Sequence, residues 1–286
     1  MRIFLDGRLV DEAEALVSVY DHGFLYGDGI YETMRAYEGV VFMLERHLGR
    51  LGRSAGLMRL ALPPEGVVRD AVLATISANG LADAYVRVTV SRGKGPIGLD
   101  PGLCPKPTFV VVAEQFTPYP EAFYRDGVTL TVARTRRNHP DALDPRIKSL
   151  NFLNNIFAKV EAKERSAWEA VMLNSAGYLA EGTVSNIFFV RGGVLCTPSV
   201  ECGVLDGITR ETVISAARAE GVAVEEGFFR PEDLFSASEV FFTNTTSEVM
   251  PVSRVDDRTY AVGEITRRLH GRYQQAVREY IRTHSP

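Results

Sequence analysis

Two prolines, Pro118 and Pro120, stand between two apolar strand-like runs and divide the pattern of this sequence. Proline fixes φ and lacks an N–H, so neither a strand ladder nor a helix runs through Phe116-Thr117-Pro118-Tyr119-Pro120. On each side of this linker an alternation of short strands and helices starts afresh. Before it, Met1 to Gly7 reads as a strand entering a turn. Leu44, Leu48, Leu51 and Ala55 then keep one apolar face at helical spacing up to Pro63-Pro64. A second helix is expected from Pro64 to about Asn79, with Gly80 at its end. From Tyr85 to Ser91 the period is two: valines point one way, and Tyr85, Arg87, Thr89 and Ser91 the other. Thr108 to Ala113 is apolar enough for a buried strand. Beyond the prolines come a strand at Val128 to Ala133 and a polar, basic loop from Arg134 to Pro145. A helix follows with Leu150, Leu153, Phe157 and Val160 on one face. Strands at Ala170 to Leu173 and Ile187 to Val190 precede a helix near Thr209 that buries Val213, Ile214 and Ala217. An amphipathic C-terminal helix runs through Ile265, Leu269, Tyr273, Val277 and Ile281. The pattern predicts an α/β (α+β) chain of two domains, a small N-terminal one over residues 1-117 and a larger C-terminal one over 118-286.

Composition narrows the function. The chain has 286 residues, room for one or two domains, and its 45% hydrophobic and 24% charged fractions suit a globular protein with a full core. A net charge of -4 speaks against a nucleic-acid partner, which needs a basic excess. No apolar run approaches the roughly 20 residues of a membrane helix, and the N-terminus lacks a signal-peptide core, so a cytoplasmic protein is expected. Cys104, Cys196 and Cys202 match no zinc spacing, and the five histidines form no His-Glu-x-x-His pattern. No metal is therefore expected. If the chain carries out difficult chemistry, an organic cofactor should supply it.

Gly93-Lys94-Gly95-Pro96-Ile97-Gly98 fits G-x-G-x-x-G after a strand. Dinucleotide binding also needs a helix opening at the glycines, and Asp100-Pro101-Gly102 with Pro105 and Pro107 prevents one. A mobile glycine loop is expected instead. Lys148 is more informative. It lies where an irregular loop meets an apolar helix, so its side chain can enter a cleft. Most lysines are solvated surface charges. Chemistry on an amine needs a lysine in such a place, to form an imine with an aldehyde and then to carry the α-proton. From position alone both readings stand.

Six segments decide between them. They are Asp21 to Thr33 (DHGFLYGDGIYET), Glu45 to Leu51 (ERHLGRL), Arg146 to Asn155 (RIKSLNFLNN), Ala180 to Phe188 (AEGTVSNIF), Leu205 to Arg210 (LDGITR) and Thr243 to Glu248 (TNTTSE). In this order, over nearly the whole chain, they resemble the class IV (fold type IV) aminotransferases. These pyridoxal-phosphate enzymes include branched-chain and D-amino-acid aminotransferases and aminodeoxychorismate lyase. The resemblance implies a homodimer or a dimer of dimers, and a set of roles. Lys148 would hold pyridoxal 5'-phosphate covalently. Glu181 would face the pyridine nitrogen and keep it protonated, so that the ring acts as an electron sink. Arg50 would bind the phosphate, where a planar fork suits a dianion. The helix start at Gly207, Ile208 and Thr209 would bind it through backbone N–H groups, and Thr245 through its side chain. Tyr26 and Tyr31 would line the substrate pocket. Tyr85 and Arg87, on one strand face, would lie near the substrate carboxylate, as would the backbone at Thr246. Each residue also has a plainer reading. Glu181 could be a turn acid, Arg50 a helix surface charge, Asp206 or Thr209 a helix cap, and Asn244-Thr245-Thr246 an ordinary turn. Tyr85 could be a half-buried strand aromatic, Arg87 an exposed charge, and Tyr26 and Tyr31 interface packing.

The sequence also departs from its relatives. Phe152 stands where many have a tyrosine whose hydroxyl bonds the cofactor's ring oxygen. Ser91 to Asp100 lacks the arginine-and-histidine carboxylate trap of D-amino-acid aminotransferases. Thr245-Thr246-Ser247-Glu248 nevertheless looks more D-type, and Val200 to Arg210 resembles lyase sequences. The expected activity is transfer of an amino group between an amino acid, branched-chain L-amino acids first, and a 2-oxo acid such as 2-oxoglutarate. The alternatives are a D-amino-acid aminotransferase, a lyase releasing pyruvate and 4-aminobenzoate, and a non-enzymatic cofactor-binding protein. The last is disfavoured, because carriage alone needs no electron sink.

Overall fold

The computed structural model describes residues 1–285. The chain divides into two compact units. One takes Met1–Thr117, Ile147–Phe152 and the segment from Val277; the other takes Pro118–Arg146 and Leu153–Ala276.

The first unit contains β1 (Arg2–Leu5), β2 (Arg8–Asp11), α1 (His22–Tyr26), β3 (Gly29–Tyr37), β4 (Val40–Val41), α2 (Leu44–Met58), α3 (Glu65–Ala78), β5 (Ala84–Ser91) and β6 (Thr108–Gln115). Its six strands form one sheet in the order β2-β1-β6-β5-β3-β4, antiparallel throughout. The strand alternation falls as expected. Val86, Val88 and Val90 join Ile30 and Met34 in a core completed by Leu44, Leu48, Leu51 and Ala55 of α2. Burying each of these larger side chains contributes about 1.5–3 kcal/mol. The opposite residues of the same two strands, Tyr31 and Thr33 on β3 with Tyr85, Arg87 and Thr89 on β5, therefore share the other face.

The second unit contains α4 (Glu121–Asp126), β7 (Val128–Val132), α5 (Leu153–Glu164), β8 (Glu169–Leu173), β9 (Leu179–Gly182), β10 (Asn186–Arg191), β11 (Val194–Pro198), α6 (Ile208–Ala219), β12 (Val224–Gly227), α7 (Pro231–Phe235), β13 (Glu239–Asn244), β14 (Glu248–Val255), β15 (Arg258–Thr259) and most of α8 (Glu264–His284). Its nine-stranded sheet runs β12-β11-β10-β13-β14-β7-β8-β9, with β15 beside β14. Three of its pairings are parallel: β11 with β12, β14 with β7 and β7 with β8. Both faces of the central strands are covered, which explains their nearly unbroken apolar runs. Ile187, Phe189, Val240 and Phe242 pack into one core. Phe188 and Phe241 stack in parallel, centroids 4.9 Å apart.

One element was not expected and one expectation is corrected. Between the prolines and β7, α4 starts at Glu121 with Pro120 as its N-cap. On α5 the expected inward face points outward: Leu153, Phe157 and Val160 are exposed, with Ile156. Leu150 precedes the helix. Ala158 and Ala162 are the buried residues, packed with Ala133, Ala170 and Met172. Small alanines let the helix lie close to the sheet, and the large apolar stripe is left to solvent.

Candidate active site

Lys148 does not open a helix. It lies in an extended segment paired along the outer edge of β3: Ser149 bridges Ile30, and the Tyr31 N–H donates to the Lys148 carbonyl at 2.9 Å while the Leu150 N–H donates to Gly29. The Lys148 N–H donates to Ser54 Oγ of α2 at 3.2 Å. Both backbone groups of the lysine are thus fixed, and the side chain is left to extend over Tyr31. Its Nζ stands 4.4 Å from the centre of that ring. The Arg87 guanidinium lies 4.1 Å from the same centre, and Phe152 packs against the ring at 5.0 Å.

Behind this face lies a buried ionic cluster. Arg50 donates from Nε to Glu32 Oε1 at 2.7 Å and from Nη2 to Glu32 Oε2 at 2.8 Å. His47 Nδ1 meets the same Oε2 at 2.7 Å. Glu32 is wholly buried, His47 and Arg50 nearly so. Burial pushes the Glu32 carboxyl up, but the Arg50 charge and the Arg50 and His47 hydrogen bonds outweigh it and hold the group far below the carboxylate range. Burial lowers the His47 imidazole against the raising effect of Glu32, and the charges of Arg50 and Lys148 lower it further. His47 is therefore neutral and donates its Nδ1–H. Two nitrogens of the guanidinium that the resemblance assigned to phosphate, Nε and Nη2, are engaged by Glu32.

Tyr26 and Tyr85 lie apart from this cluster. The Tyr26 hydroxyl accepts from the Gly98 N–H at 3.1 Å, and neighbouring His22 Nε2 meets the Pro96 carbonyl at 2.9 Å. The glycine loop is thus tied to α1. Gly93 has φ +101°, and a Cβ there would come within 1.9 Å of the Lys106 carbonyl, so glycine serves close packing rather than phosphate binding. Tyr85 pairs with Arg35, four positions along β3 from Tyr31, a separation of roughly 13 Å at the strand rise.

In the second unit Glu181 is buried on β9. Its Oε1 accepts from Arg137 Nε at 2.8 Å and its Oε2 from the Leu205 N–H at 2.8 Å. It is not a solvated turn acid. Asn154 Oδ1 accepts from the same guanidinium. Leu205 also accepts from Asn186 Nδ2 at 2.9 Å, and two residues later Gly207 is the N-cap of α6. A Cβ on Gly207 would fall 2.0 Å from Asn186 Oδ1, so only glycine fits. Ile208 and Thr209 follow, both buried. One five-residue stretch therefore grips a buried carboxylate at one end and opens a helix, with its anion-attracting N–H groups, at the other. Thr245 and Thr246 lie in the turn between β13 and β14, where Asn244 Oδ1 accepts from the Thr246 and Ser247 N–H groups at 3.0 and 2.7 Å.

Sequence reasoning missed Glu32, His47, Ser54, Arg137 and Asn186. Glu32, Ser54 and Arg137 bond Arg50, Lys148 and Glu181 directly, whereas His47 and Asn186 bond Glu32 and Leu205. Arg137 and Asn186 stood within quoted or basic segments, but nothing local marked their partners.

The donor set can be tested against a phosphorylated pyridine aldehyde: an amine, a buried and oriented carboxylate, a helix N-terminus, and two buried hydroxyls with no hydrogen-bond partner, Ser185 Oγ and Thr243 Oγ1. The two hydroxyls sit beside Asn186, one preceding it and one opposite it across the strand pair. In kind, each unit supplies groups that suit such a cofactor: the amine in the first, the carboxylate, helix start and hydroxyls in the second. A family model described as amino-transferase class IV matches residues 29–255. The chain is a class IV aminotransferase. Over 278 residues it is 44% identical to the "Putative branched-chain-amino-acid aminotransferase" of Methanocaldococcus jannaschii, spanning 96% of each chain. It is 32% identical over 284 residues to the aminodeoxychorismate lyase of Bacillus subtilis, spanning 98% of this chain and 96% of that one. The crystal structure of a T.th. branched-chain amino acid aminotransferase with pyridoxamine 5'-phosphate matches with a TM-score of 0.94 at 32% identity, covering 98% of this chain and 96% of that one. This aminotransferase accordingly has the two-domain fold of fold type IV and works with pyridoxal 5'-phosphate.

Proposed function

We propose that the aminotransferase moves the amino group of a branched-chain L-amino acid to a 2-oxo acid such as 2-oxoglutarate. One observation carries the reading: the Lys148 amine and the Arg87 guanidinium stand over the same Tyr31 ring. An amine that takes and returns the α-proton then lies near a cation able to hold a carboxylate, beside the apolar surface of Tyr31 and Phe152. Bound pyridoxal phosphate supplies the electron sink that no side chain offers. Lys148 would hold it covalently, and its Nζ would move the α-proton. Glu181, aimed by Arg137 and Leu205, keeps a proton on the ring nitrogen. The N–H groups of Gly207, Ile208 and Thr209 hold the phosphate, with Thr245 and with Arg50, whose guanidinium also holds Glu32. Tyr26, Tyr31, Arg87 and Thr246 serve the substrate, with Tyr85 further out on the same face.

The exposed stripe Leu153, Ile156, Phe157 and Val160 on α5 supports a homodimer, since apolar residues at helical spacing favour a partner over water. Three free cysteines suit the reducing cytoplasm. No helix among the described residues is long and apolar enough to cross a membrane. Stopped-flow absorbance of the bound cofactor should change faster with L-leucine, L-isoleucine or L-valine than with D-alanine. A faster D-alanine reaction overturns the L assignment and favours the Thr245 to Glu248 signature. The similarity to a lyase supports a second reading, which wins if no amino acid reacts and aminodeoxychorismate releases pyruvate.

A further inference from the structure

The turn from Asn244 to Ser247 is gripped from behind by side chains of three elements. Glu248, the first residue of β14, is buried and has φ +55°. A glutamate in the left-handed region is strained and persists only where its surroundings hold it. Its Oε2 lies 3.0 Å from His270 Nε2 on α8. The carboxylate can only accept, so Nε2–H donates to Glu248; the Gln274 amide nitrogen, 3.2 Å from the same ring nitrogen, is itself a donor and adds no acceptor there. The His270 ring stacks on Tyr124 of α4, centroids 4.9 Å apart and planes 12° from parallel. The Tyr124 hydroxyl closes the circuit by donating to the Ser247 carbonyl at 3.4 Å. Inside the turn, Asn244 Oδ1 gathers the Thr246 and Ser247 N–H groups and the Thr246 hydroxyl. The last two residues of the segment are thus fixed by a histidine and a tyrosine that touch each other, and Thr245 and Thr246 are presented by a backbone with little freedom.

We infer that Glu248, His270 and Tyr124 form a positioning unit that sets the Thr245–Thr246 turn for its anionic ligands. The inference rests on the assignment of Thr245 to the cofactor phosphate. The unit touches neither cofactor nor substrate and acts only through the turn. Three variants of the full chain test it. His270→Phe keeps a ring against Tyr124 and removes the donor to Glu248. Tyr124→Phe removes only the hydroxyl that reaches Ser247. Thr245→Val removes the proposed phosphate contact.

Hydrogen exchange should quicken at the Thr246 and Ser247 amides in His270→Phe and Tyr124→Phe, with the β10 and β13 amides unchanged. The dissociation constant of pyridoxal phosphate, read by equilibrium dialysis, should rise about tenfold in His270→Phe, as coupled neighbours do. The same change made in a Thr245→Val background should add less than about twofold, because the contact through which it acts is already gone. Unchanged exchange in the turn, or a His270→Phe effect that persists in full without the Thr245 hydroxyl, overturns the positioning unit alone. Thr245→Val with unaltered cofactor affinity overturns the phosphate assignment and, with it, the route by which the unit acts. If His270→Phe does not fold, Tyr124→Phe carries both measurements, since it leaves the Glu248–His270 pair in place.

Discussion

Glu32→Gln should remove a large share of this protein's stability while altering a side chain by one atom. Glu32 accepts three short hydrogen bonds, two from Arg50 and one from His47, with no exposure to water. The amide cancels the charge that compensates Arg50 and turns an N–H towards other N–H groups. Removing one partner of a buried ion pair costs about 3–5 kcal/mol, because the other charge stays desolvated and uncompensated. That is a fifth or more of the roughly 5–15 kcal/mol available to a folded protein. Urea unfolding followed by circular dichroism measures it, with the slope against urea unchanged if only stability has altered. A loss below about 1 kcal/mol would refute the argument, since that is the magnitude of a surface pair. The pH dependence adds a second check. Glu32 is held low in the fold, so its contribution is complete above the unfolded carboxyl value of roughly 4.3 and fades as pH falls towards its folded value. His47 is also held low, so the unfolded chain takes up a proton below about 6.5 while the folded one does not, and acid destabilises there too. Both proteins keep His47, so wild type and Glu32→Gln should differ most near neutrality and converge below about pH 4.3.

Borohydride treatment followed by peptide mapping should place the reduced cofactor on Lys148; an adduct on Lys159 or Lys163 would contradict the assignment. Glu181→Gln should retain the cofactor and lower kcat about a hundredfold, the scale of a lost preorganised charge. A near-normal rate with an unshifted visible spectrum would remove Glu181 from the ring nitrogen. Phe157→Glu should shift the protein towards monomer in sedimentation velocity, and an unchanged profile would place the subunit contact away from α5.

Elements whose signal is local were legible in the sequence. The face of α2 through Leu44, Leu48, Leu51 and Ala55 is buried as its spacing requires, and the valines of β5 point to the same core. The glycine loop opens no helix, as its prolines demanded. What could not be read depends on parts of the chain far from one another. Lys148 was expected at a helix start, but its neighbour Ser149 pairs with Ile30, and no periodicity reports a partner over a hundred residues away. Arg50 carries the mark of a phosphate ligand in its segment, but that two of its nitrogens hold Glu32 shows only once β3 meets α2. On α5 the pattern showed an apolar stripe correctly but not its destination. Spacing alone is the same for a stripe that faces a core and one that faces another molecule. The buried Glu181, by contrast, was found through its segment, and its orienting Arg137 was not.

The pairing of Ser149 with Ile30 also constrains how the protein is made. The outer edge of β3 near Gly29 to Tyr31 is closed by backbone from Lys148 to Leu150, which belongs to the first unit although 29 residues of the second unit intervene after Thr117. A ribosome adding about 5–20 residues per second delivers the first 117 residues well before that closing segment emerges. During that interval a nascent chain carries an unpaired strand edge bordered by Ile30 and Tyr31, the kind of edge that pairs with a neighbour on the same messenger. The residues from Val277 join the same unit last of all. A gene cut at the prolines would therefore yield an N-terminal fragment that lacks part of its own unit, and a C-terminal fragment that carries the missing segments beside a unit of its own.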